Sequence, residues 1–483
     1  MAEAPEAPLE GAVAPQSMSR PRAQGRPARQ GVRFIATGEP TRAALRAQIV
    51  KLAGPAIVEQ FLVTLVQMID MIMVSHLGAA ATAAVGLTNQ PIFLALAAFM
   101  ALNVGTTAIV ARSIGAGDVE QAHKAARQTL VITVIMGLGM AVAGYLSAPW
   151  VILAMRAGPD VLPLGVTFMR FIALSMIFST FSMSLSAVLR GAGDTRTPMM
   201  VNVAANLVVI ILDFLLIYGN LGAPRLGIAG AGVATLVARF IAAVLVSRAV
   251  FGGRSGIKLS LRDRYGFDRV MIGRILRIGL WAAAEQFIMR AGMILFVTVV
   301  AGLGTATYAA HQIAINIVGL SFMPGMGFAI AATTVVGQSL GQKRPDWAEK
   351  GAYETRLLGM GVATFMGVVF FFGAPLLMRM YTPDMEVVRQ GVIALRIIAL
   401  IQPAQSTAFI LAGGLRGAGD TTWPVISTAI GVWGFRVFLS WVFVEVLHWG
   451  LGGAWWAMVA DQGVRSIIIY YRFRSGRWKK VVV

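Results

Sequence analysis

Twelve apolar segments follow one another along the chain, each close to the ~20 residues that a helix needs to cross a bilayer. Backbone within lipid must satisfy its own hydrogen bonds, so these segments are expected to be helices. A content of 57% hydrophobic and 13% charged residues fits a multi-pass membrane protein. The approximate bounds of the segments are 52–74, 89–111, 128–150, 163–188, 198–218, 228–248, 278–300, 312–337, 355–378, 390–414, 424–446 and 451–471.

The chain is a tandem duplication. The heptapeptide LRGAGDT occurs at 189–195 and at 415–421, and the same offset of 226 residues places the triplet 59–61 on the identical triplet 285–287. Six spans per half is an even number, so both halves enter the membrane in the same direction. This predicts an all-α polytopic membrane protein with two six-helix lobes, related by a pseudo-twofold axis along the membrane normal.

Lysine and arginine lie almost entirely on one side of this topology. The segments on the side of both termini hold 31 of them, and the opposite loops hold four. The positive-inside rule then places both termini in the cytoplasm, at the plasma (inner) membrane. The predicted parts are a disordered basic tail (1–46), an N-lobe (47–250), a cytoplasmic linker (251–277), a C-lobe (278–472) and a second basic tail (473–483).

Enzyme chemistry has little support in the sequence. The chain has no cysteine, and its four histidines lack metal-ligand spacing. LRGAGDT is rich in glycine, but no strand precedes it and no lysine follows it, which favours a tight cytoplasmic turn over a phosphate loop. We therefore expect neither an enzyme nor an organic cofactor.

Carboxylates within the spans mark the candidate site, because an ionised group at the bilayer centre costs at least ~2.5–3.5 kcal/mol. Glu59 and Asp70 lie three turns apart on one face of the first span, with Gln67 beside Asp70, and Asn206 and Asp213 share a face of the fifth. Burial disfavours a charged carboxyl group, so such groups can exchange protons, while a pair can instead hold Na⁺. The alternative is hydrogen bonding that stabilises the helix bundle.

Three further kinds of residue within the spans are candidates for a functional role. Pro55 is either a static kink in the first helix or a hinge that bends as Asp70 gains or loses a cation. Glu285 and Asp461 are deep carboxylates of the second half. Methionines such as Met289 can form a polarizable cavity wall, although most are expected to be packing residues.

Together these features resemble the MATE family, the multidrug and toxic compound extrusion transporters, from about residue 45 to the end. The segments that carry the resemblance are 55–70, LGTATYAAHQIA (303–314), both LRGAGDT copies, LDFLLIYG (212–219), GAGVAT (230–235) and YRFRSGRWK (471–479). The resemblance implies twelve helices in two lobes. It also implies export of bulky, often cationic compounds in exchange for H⁺ or Na⁺, by rocker-switch alternating access.

The resemblance also assigns candidate residues for cation coupling. Asp70 resembles the family's first-helix acid, and Pro55 resembles its hinge proline. Asp213 and Thr235 are similar to members of an N-lobe cation site, where Asn206 is a further candidate. The chain has Val209 where that site usually carries an asparagine, which favours protons over Na⁺ at Asp70 and Asp213. No other metal ion is expected.

A second branch of the family has a cation site in the C-lobe, built on a seventh-helix glutamate eight residues after a proline. Here these positions are Met289 and Trp281, so the resemblance implies that this site is absent. Glu285 is expected to line the substrate cavity instead, together with Glu59, Gln67 and Met289.

The leading hypothesis is a monomeric antiporter whose partners are small-molecule drugs or metabolites and membrane lipid, with no nucleic acid. One alternative is a flippase for a lipid-linked precursor, which would line the cleft with basic residues. Its deep candidates are Arg239, Arg290, Arg396 and Arg436. Another alternative is a membrane scaffold or receptor that transports nothing, against which the buried carboxylates and the duplication argue.

Overall fold

The computed structural model describes residues 41–253, 257–260, 262 and 265–481, except the side chains of residues 93 and 94. Residues 1–40 of the predicted tail lie outside the described residues. Each predicted span falls within one helical element. The elements are α1 (Arg42–Ser75), α2 (Ala79–Gly115), α3 (Val119–Ala154), α4 (Leu162–Gly191), α5 (Arg196–Tyr218), α6 (Ile228–Phe251), α7 (Arg269–Ala301), α8 (Thr305–Gly341), α9 (Pro345–Arg379), α10 (Met385–Ala399 and Gln402–Gly417), α11 (Thr422–Val446) and α12 (Gly450–Arg474).

Ten of the described helices are individually long and apolar enough to cross a membrane. The eleventh, α10, qualifies as a pair of segments bent by 55°, with Pro403 at the start of its second part. Proline lacks a backbone N–H, so the helical hydrogen bonding is interrupted there. The last helix, α12, carries Asp461 and Arg465 and is less apolar, but Trp455 and Phe473 on it are fully buried.

The described parts of the two predicted tails contain more regular structure than predicted. The first helix begins at Arg42, so residues 42–46 are helical, and the Thr41 side chain accepts a hydrogen bond from the Ala44 amide. At the other end, Trp478 is fully buried and stacks on Phe473 with 4.5 Å between ring centroids. Hydropathy misses both features because short polar segments can be ordered by packing on a bundle.

The first third of α1 packs on the opposite lobe. Ile49 and Leu52 lie in one buried apolar cluster with Phe328 of α8, whereas Val66 packs on α5 and α6 of the N-lobe. Arg46 Nε donates to Glu354 of α9 at 2.8 Å. The structure therefore differs from the predicted N-lobe boundary at residue 47, because α1 spans both lobes.

The start of α7 makes the reciprocal contact. Ile275 is buried with the N-lobe core, and the Asp268 amide donates to Gln128 of α3 at 3.0 Å, where Gln128 is the repeat counterpart of Glu354. Lys124 of α3 also pairs with Asp268, and this hydrogen bond lowers the pKa of the Asp268 carboxyl group. Helix α7 therefore begins at Arg269, nine residues before the predicted start of the C-lobe at residue 278.

Helices α2 and α8 cross at the pseudo-twofold axis, on the side of the molecule where the two ends of the described chain, residues 41 and 481, lie. Gly115 contacts the backbone of Gln338, and its counterpart Gly341 contacts the backbone of Arg112, so that a Cβ at either glycine would overlap the other lobe. Gln338 Nε2 also donates to the Gly191 carbonyl at 3.1 Å. We call this contact the α2–α8 seal.

Candidate functional site

Three helices of the N-lobe bring polar side chains to one level. The helices meet in an apolar layer, which consists of Val66 of α1, Val209 of α5 and Ala238 of α6. Asp70 and Asp213 each lie one turn beyond this layer, and Thr235 lies one turn before it on α6. Since α6 runs antiparallel to α1 and α5, all three side chains lie on the side of the layer away from the chain ends.

The two carboxyl groups at this level are neighbours. Asp70 and Asp213 approach closely enough for one to donate a hydrogen bond to the other when a proton is present. Asp213 is 1% exposed, and among the described residues neither of its oxygens has another hydrogen-bond partner. Asp70 is half-buried, with its Oδ1 shielded. Two carboxylates in contact at such a site repel each other, so a proton or a cation between them stabilises the arrangement.

The structure does not bring Asn206 to this pair. It lies seven residues before Asp213, about 10 Å along the helix axis, and Val209 of the apolar layer occupies the turn between them. Asn206 therefore lies at a different depth from the pair, although it shares a face of α5 with Asp213, and its part in cation coupling stays a prediction. Gln67 is exposed on α1, and its role, like that of Thr235, stays a prediction.

Glu59 and Glu285 are each held by an ion pair within their own lobe. Glu59 Oε1 accepts hydrogen bonds from Arg190 Nη2 and Asn202 Nδ2, both at 2.8 Å. Glu285 accepts two from Arg416 Nη2, at 2.7 and 2.8 Å. Glu285 and Arg416 also line a small cavity of the C-lobe. The place of both glutamates in a substrate cavity stays a prediction.

The ion pair is itself duplicated. Arg190 and Arg416 are the arginines of the two LRGAGDT copies, and each lies 131 residues after the glutamate that it binds. Thr428 Oγ1, the counterpart of Asn202, lies 3.3 Å from Glu285 Oε1. Each heptapeptide arginine therefore connects the end of α4 or α10 to the first helix of its lobe. Because both the arginine and the glutamate recur at the offset of 226 residues, the sequence already placed the two pairs in equivalent positions.

Breaking this ion pair on one side is expected to destabilise the protein. Arg416→Met leaves Glu285 buried without its counterion, which costs about 3–5 kcal/mol in the free energy of unfolding. Removing both charges, with Arg416→Met and Glu285→Met, is expected to restore most of this loss. Denaturant unfolding in detergent measures both variants, with exposed Arg379→Met as the control. Equal losses in the single and double variants would contradict the prediction.

Two other predicted residues are located without a tested role. Met289 is half-buried on α7, one turn beyond Glu285. Pro55 lies inside α1 near the end of the part that packs on the C-lobe, since Ile57 also packs against that cluster. Bending at Pro55 would change the angle between the part of α1 that packs on the C-lobe and the part that packs on the N-lobe. The hinge interpretation stays a prediction.

Comparison with known sequences finds likeness over nearly the whole chain. The MatE family model matches residues 55–215 and 282–442, one stretch in each half. The probable multidrug resistance protein NorM of Thermotoga maritima is 32% identical over 91% of this chain and 94% of its own length. The multidrug resistance protein PmpM of Pseudomonas aeruginosa is 28% identical over 92% of this chain and 94% of its own.

Solved structures share the architecture. An outward-facing conformation of a multidrug resistance MATE family transporter of the MOP superfamily aligns with a TM-score of 0.83 and 25% identity, covering 91% of this chain and 98% of that one. A MOP superfamily transporter from Pyrococcus furiosus gives a TM-score of 0.83 at 25% identity, covering 90% and 97%. The two-lobed arrangement of twelve helices is thereby confirmed.

Proposed function

The chain belongs to the MatE family of multidrug and toxic compound extrusion transporters, and we propose that it is a secondary active multidrug efflux antiporter. It exports bulky, often cationic organic compounds in exchange for H⁺ or Na⁺. The observation that carries this proposal is the contact between the Asp70 and Asp213 carboxyl groups in the N-lobe. An intramembrane carboxyl pair in which Asp213 has no other hydrogen-bond partner among the described residues is suited to bind and release a cation.

Cation binding acts on the lobes through α1. A proton or Na⁺ between the carboxyl groups removes their repulsion and draws α1 towards α5. Because the start of α1 is fixed to the C-lobe by Arg46 and Glu354, a change in α1 alters the angle between the lobes. Cation binding then favours the state that is open away from the chain ends, in which the drug is released.

The orientation rests on the distribution of basic residues. With 31 lysines and arginines on the side of both chain ends and four on the other, that side faces the cytoplasm of the inner membrane. The α2–α8 seal lies on the same side. The conformation described here is then closed to the cytoplasm.

The oxygen content of the pair favours a proton as the coupling ion. Val209 supplies no oxygen at the layer next to Asp213, and Asn206 lies about 10 Å away along the axis. Thr235 of α6 is a further candidate for a side-chain oxygen at that level. A hard cation such as Na⁺ prefers several oxygen ligands, whereas a proton shared by two carboxyl groups needs only the pair.

The flippase alternative loses one of its four basic candidates. Arg436 is buried against Asp461 in the C-lobe interior, with 2.5 Å between Nη2 and Oδ2. Its guanidinium is therefore not arranged as a binding surface for the pyrophosphate of a lipid-linked precursor. Arg396 is exposed, and its Nε donates to the carbonyl of Phe371.

Separate gradients test the proposal. Proteoliposomes loaded with ethidium are expected to lose it when a pH gradient is imposed at equal Na⁺, and much more slowly under a Na⁺ gradient at equal pH. Fluorescence of the remaining dye measures both rates, with protein-free liposomes as the control. Efflux under the Na⁺ gradient but not under the pH gradient would identify Na⁺ instead of H⁺ as the coupling ion. Efflux under neither gradient would overturn the antiporter.

A further inference from the structure

The C-lobe contains a buried charged cluster at the place that corresponds to the carboxyl pair of the N-lobe. The offset of 226 places Asp70 on Phe296 and Thr235 on Asp461. Arg436 Nη2 lies 2.5 Å from Asp461 Oδ2, and the Arg436 guanidinium carbon lies 5.8 Å from the centroid of the Phe296 ring. The guanidinium thus lies between the counterparts of Asp70 and Thr235.

Burial shows that this cation and its partner are held inside the protein. Asp461 is 0% exposed and Arg436 is 4% exposed. A carboxylate removed from water in this way needs a counterion, because an unpaired buried charge is strongly destabilising. Arg436 is the cation that forms an ion pair with Asp461 among the described residues.

The backbone of α11 is adapted to hold this pair. It widens to π-helical hydrogen bonding over Ile430–Val437, which includes Arg436, whereas its counterpart α5 is a regular α-helix. A Cβ at Gly431 would overlap both Asp461 Oδ1 and the Arg465 side chain, so glycine lets α12 come close. Local π-helical segments inside α-helices occur frequently at functional sites.

Other charged and titratable groups surround the pair on four helices. Arg465 lies one turn after Asp461 on α12, within electrostatic reach of Asp461 itself and of Glu285 on α7 and Arg416 on α10. His311 on α8 is 1% exposed, and its ring lies 5.7 Å from that of Phe296 between centroids. Glu285 and Arg416 already neutralise each other, and among the described residues Arg436 rather than Arg465 is the cation within ion-pair distance of Asp461.

We propose that the Arg436 guanidinium is a tethered cation that fills, in the C-lobe, the place that an exchangeable monovalent cation takes in the N-lobe. The inference rests on the proposed function of the Asp70–Asp213 pair. A covalently attached cation cannot dissociate, so the repeat has one exchanging site and one permanently filled site. Removing the guanidinium turns Asp461 into a second site for H⁺ or Na⁺.

Ion-dependent stability of the full chain tests this without any transport measurement. The background carries Asp70→Asn and Asp213→Asn, which silence the N-lobe pair. Adding Arg436→Gln is expected to make the melting temperature in detergent rise by several degrees with added Na⁺ or with acidification, because the ligand binds only the folded chain. The background alone is expected to show no such rise.

Two matched variants assign the effect to Asp461. Arg436→Gln combined with Asp461→Asn is expected to lose the ion dependence, and Arg436→Lys, which keeps a tethered cation, is expected never to gain it. An ion dependence that persists after Asp461→Asn would assign the effect to His311 and overturn the proposal. A melting temperature of the Arg436→Gln chain that is insensitive to both ions would overturn it as well.

Failure to fold is also informative. If Arg436→Gln does not fold under any ionic condition while the added Asp461→Asn rescues folding, a small cation cannot replace the guanidinium and the proposal is wrong. If neither the Arg436→Gln variant nor the variant with Asp461→Asn added folds, Arg436 is needed for packing rather than for charge, and this outcome also contradicts the proposal. Failure of the proposed function is separate, because it would appear as efflux that Asp70→Asn leaves unchanged.

Discussion

Asp70→Asn is expected to reduce ion-driven ethidium or norfloxacin efflux to the level of protein-free liposomes, while the protein still folds. Asparagine has nearly the size of aspartate and can hydrogen-bond to Asp213, but it cannot take up a proton or balance a cation. Removing one of two neighbouring carboxylates also relieves their repulsion, so the melting temperature is expected not to fall. The loss is therefore specific to coupling.

Matched variants separate coupling from a general effect of lost charge. Asp213→Asn is expected to give the same loss, since both carboxyl groups belong to one pair. Asp160→Asn, in the exposed turn before α4, is expected to keep full efflux. Rates are measured in proteoliposomes under an imposed gradient at equal protein content. Undiminished efflux by the Asp70→Asn protein would exclude the pair as the coupling site.

Much of the fold follows from the sequence because lipid leaves the backbone few choices. Spans of bilayer length must be helices, and the 226-residue offset fixes how the two halves correspond. The same reasoning identified Asp70 and Asp213, since a deep carboxylate is costly and each lies on a polar face. These inferences need only the position of a residue along one helix.

Contacts between helices could not be derived in this way. Asn206 shares a face with Asp213, but its depth separates the two side chains, and the helical period contains no information about that. Glu59 has a partner 131 residues away, which periodicity within one span cannot indicate. The sequence also does not indicate that α1 packs on the C-lobe at its start and on the N-lobe further along, because both contact surfaces of α1 are apolar.

Gly341→Val is expected to open the α2–α8 seal and to stop transport. The new side chain would overlap the backbone of Arg112 in the closed state, and backbone cannot move aside as a flexible side chain can. Overpacking costs typically about 1–3 kcal/mol, which corresponds to a shift of roughly fivefold to 150-fold in the equilibrium between the closed state and the open state. Gly115→Val, its counterpart in the repeat, is expected to act alike because the contact is reciprocal.

The reaction rate of a single introduced cysteine can report whether the α2–α8 seal is open, because the chain has no cysteine of its own. Ser113 is 4% exposed next to the seal, so Ser113→Cys is expected to react slowly with a maleimide, and about tenfold or more faster when Gly341→Val is added. Gly139→Val in α3, where a Cβ meets no atom within 4 Å, is the matched control and is expected to change neither labelling nor efflux. Slow labelling together with normal efflux in the Gly341→Val protein would show that the close approach of α2 and α8 is not required for the closed state.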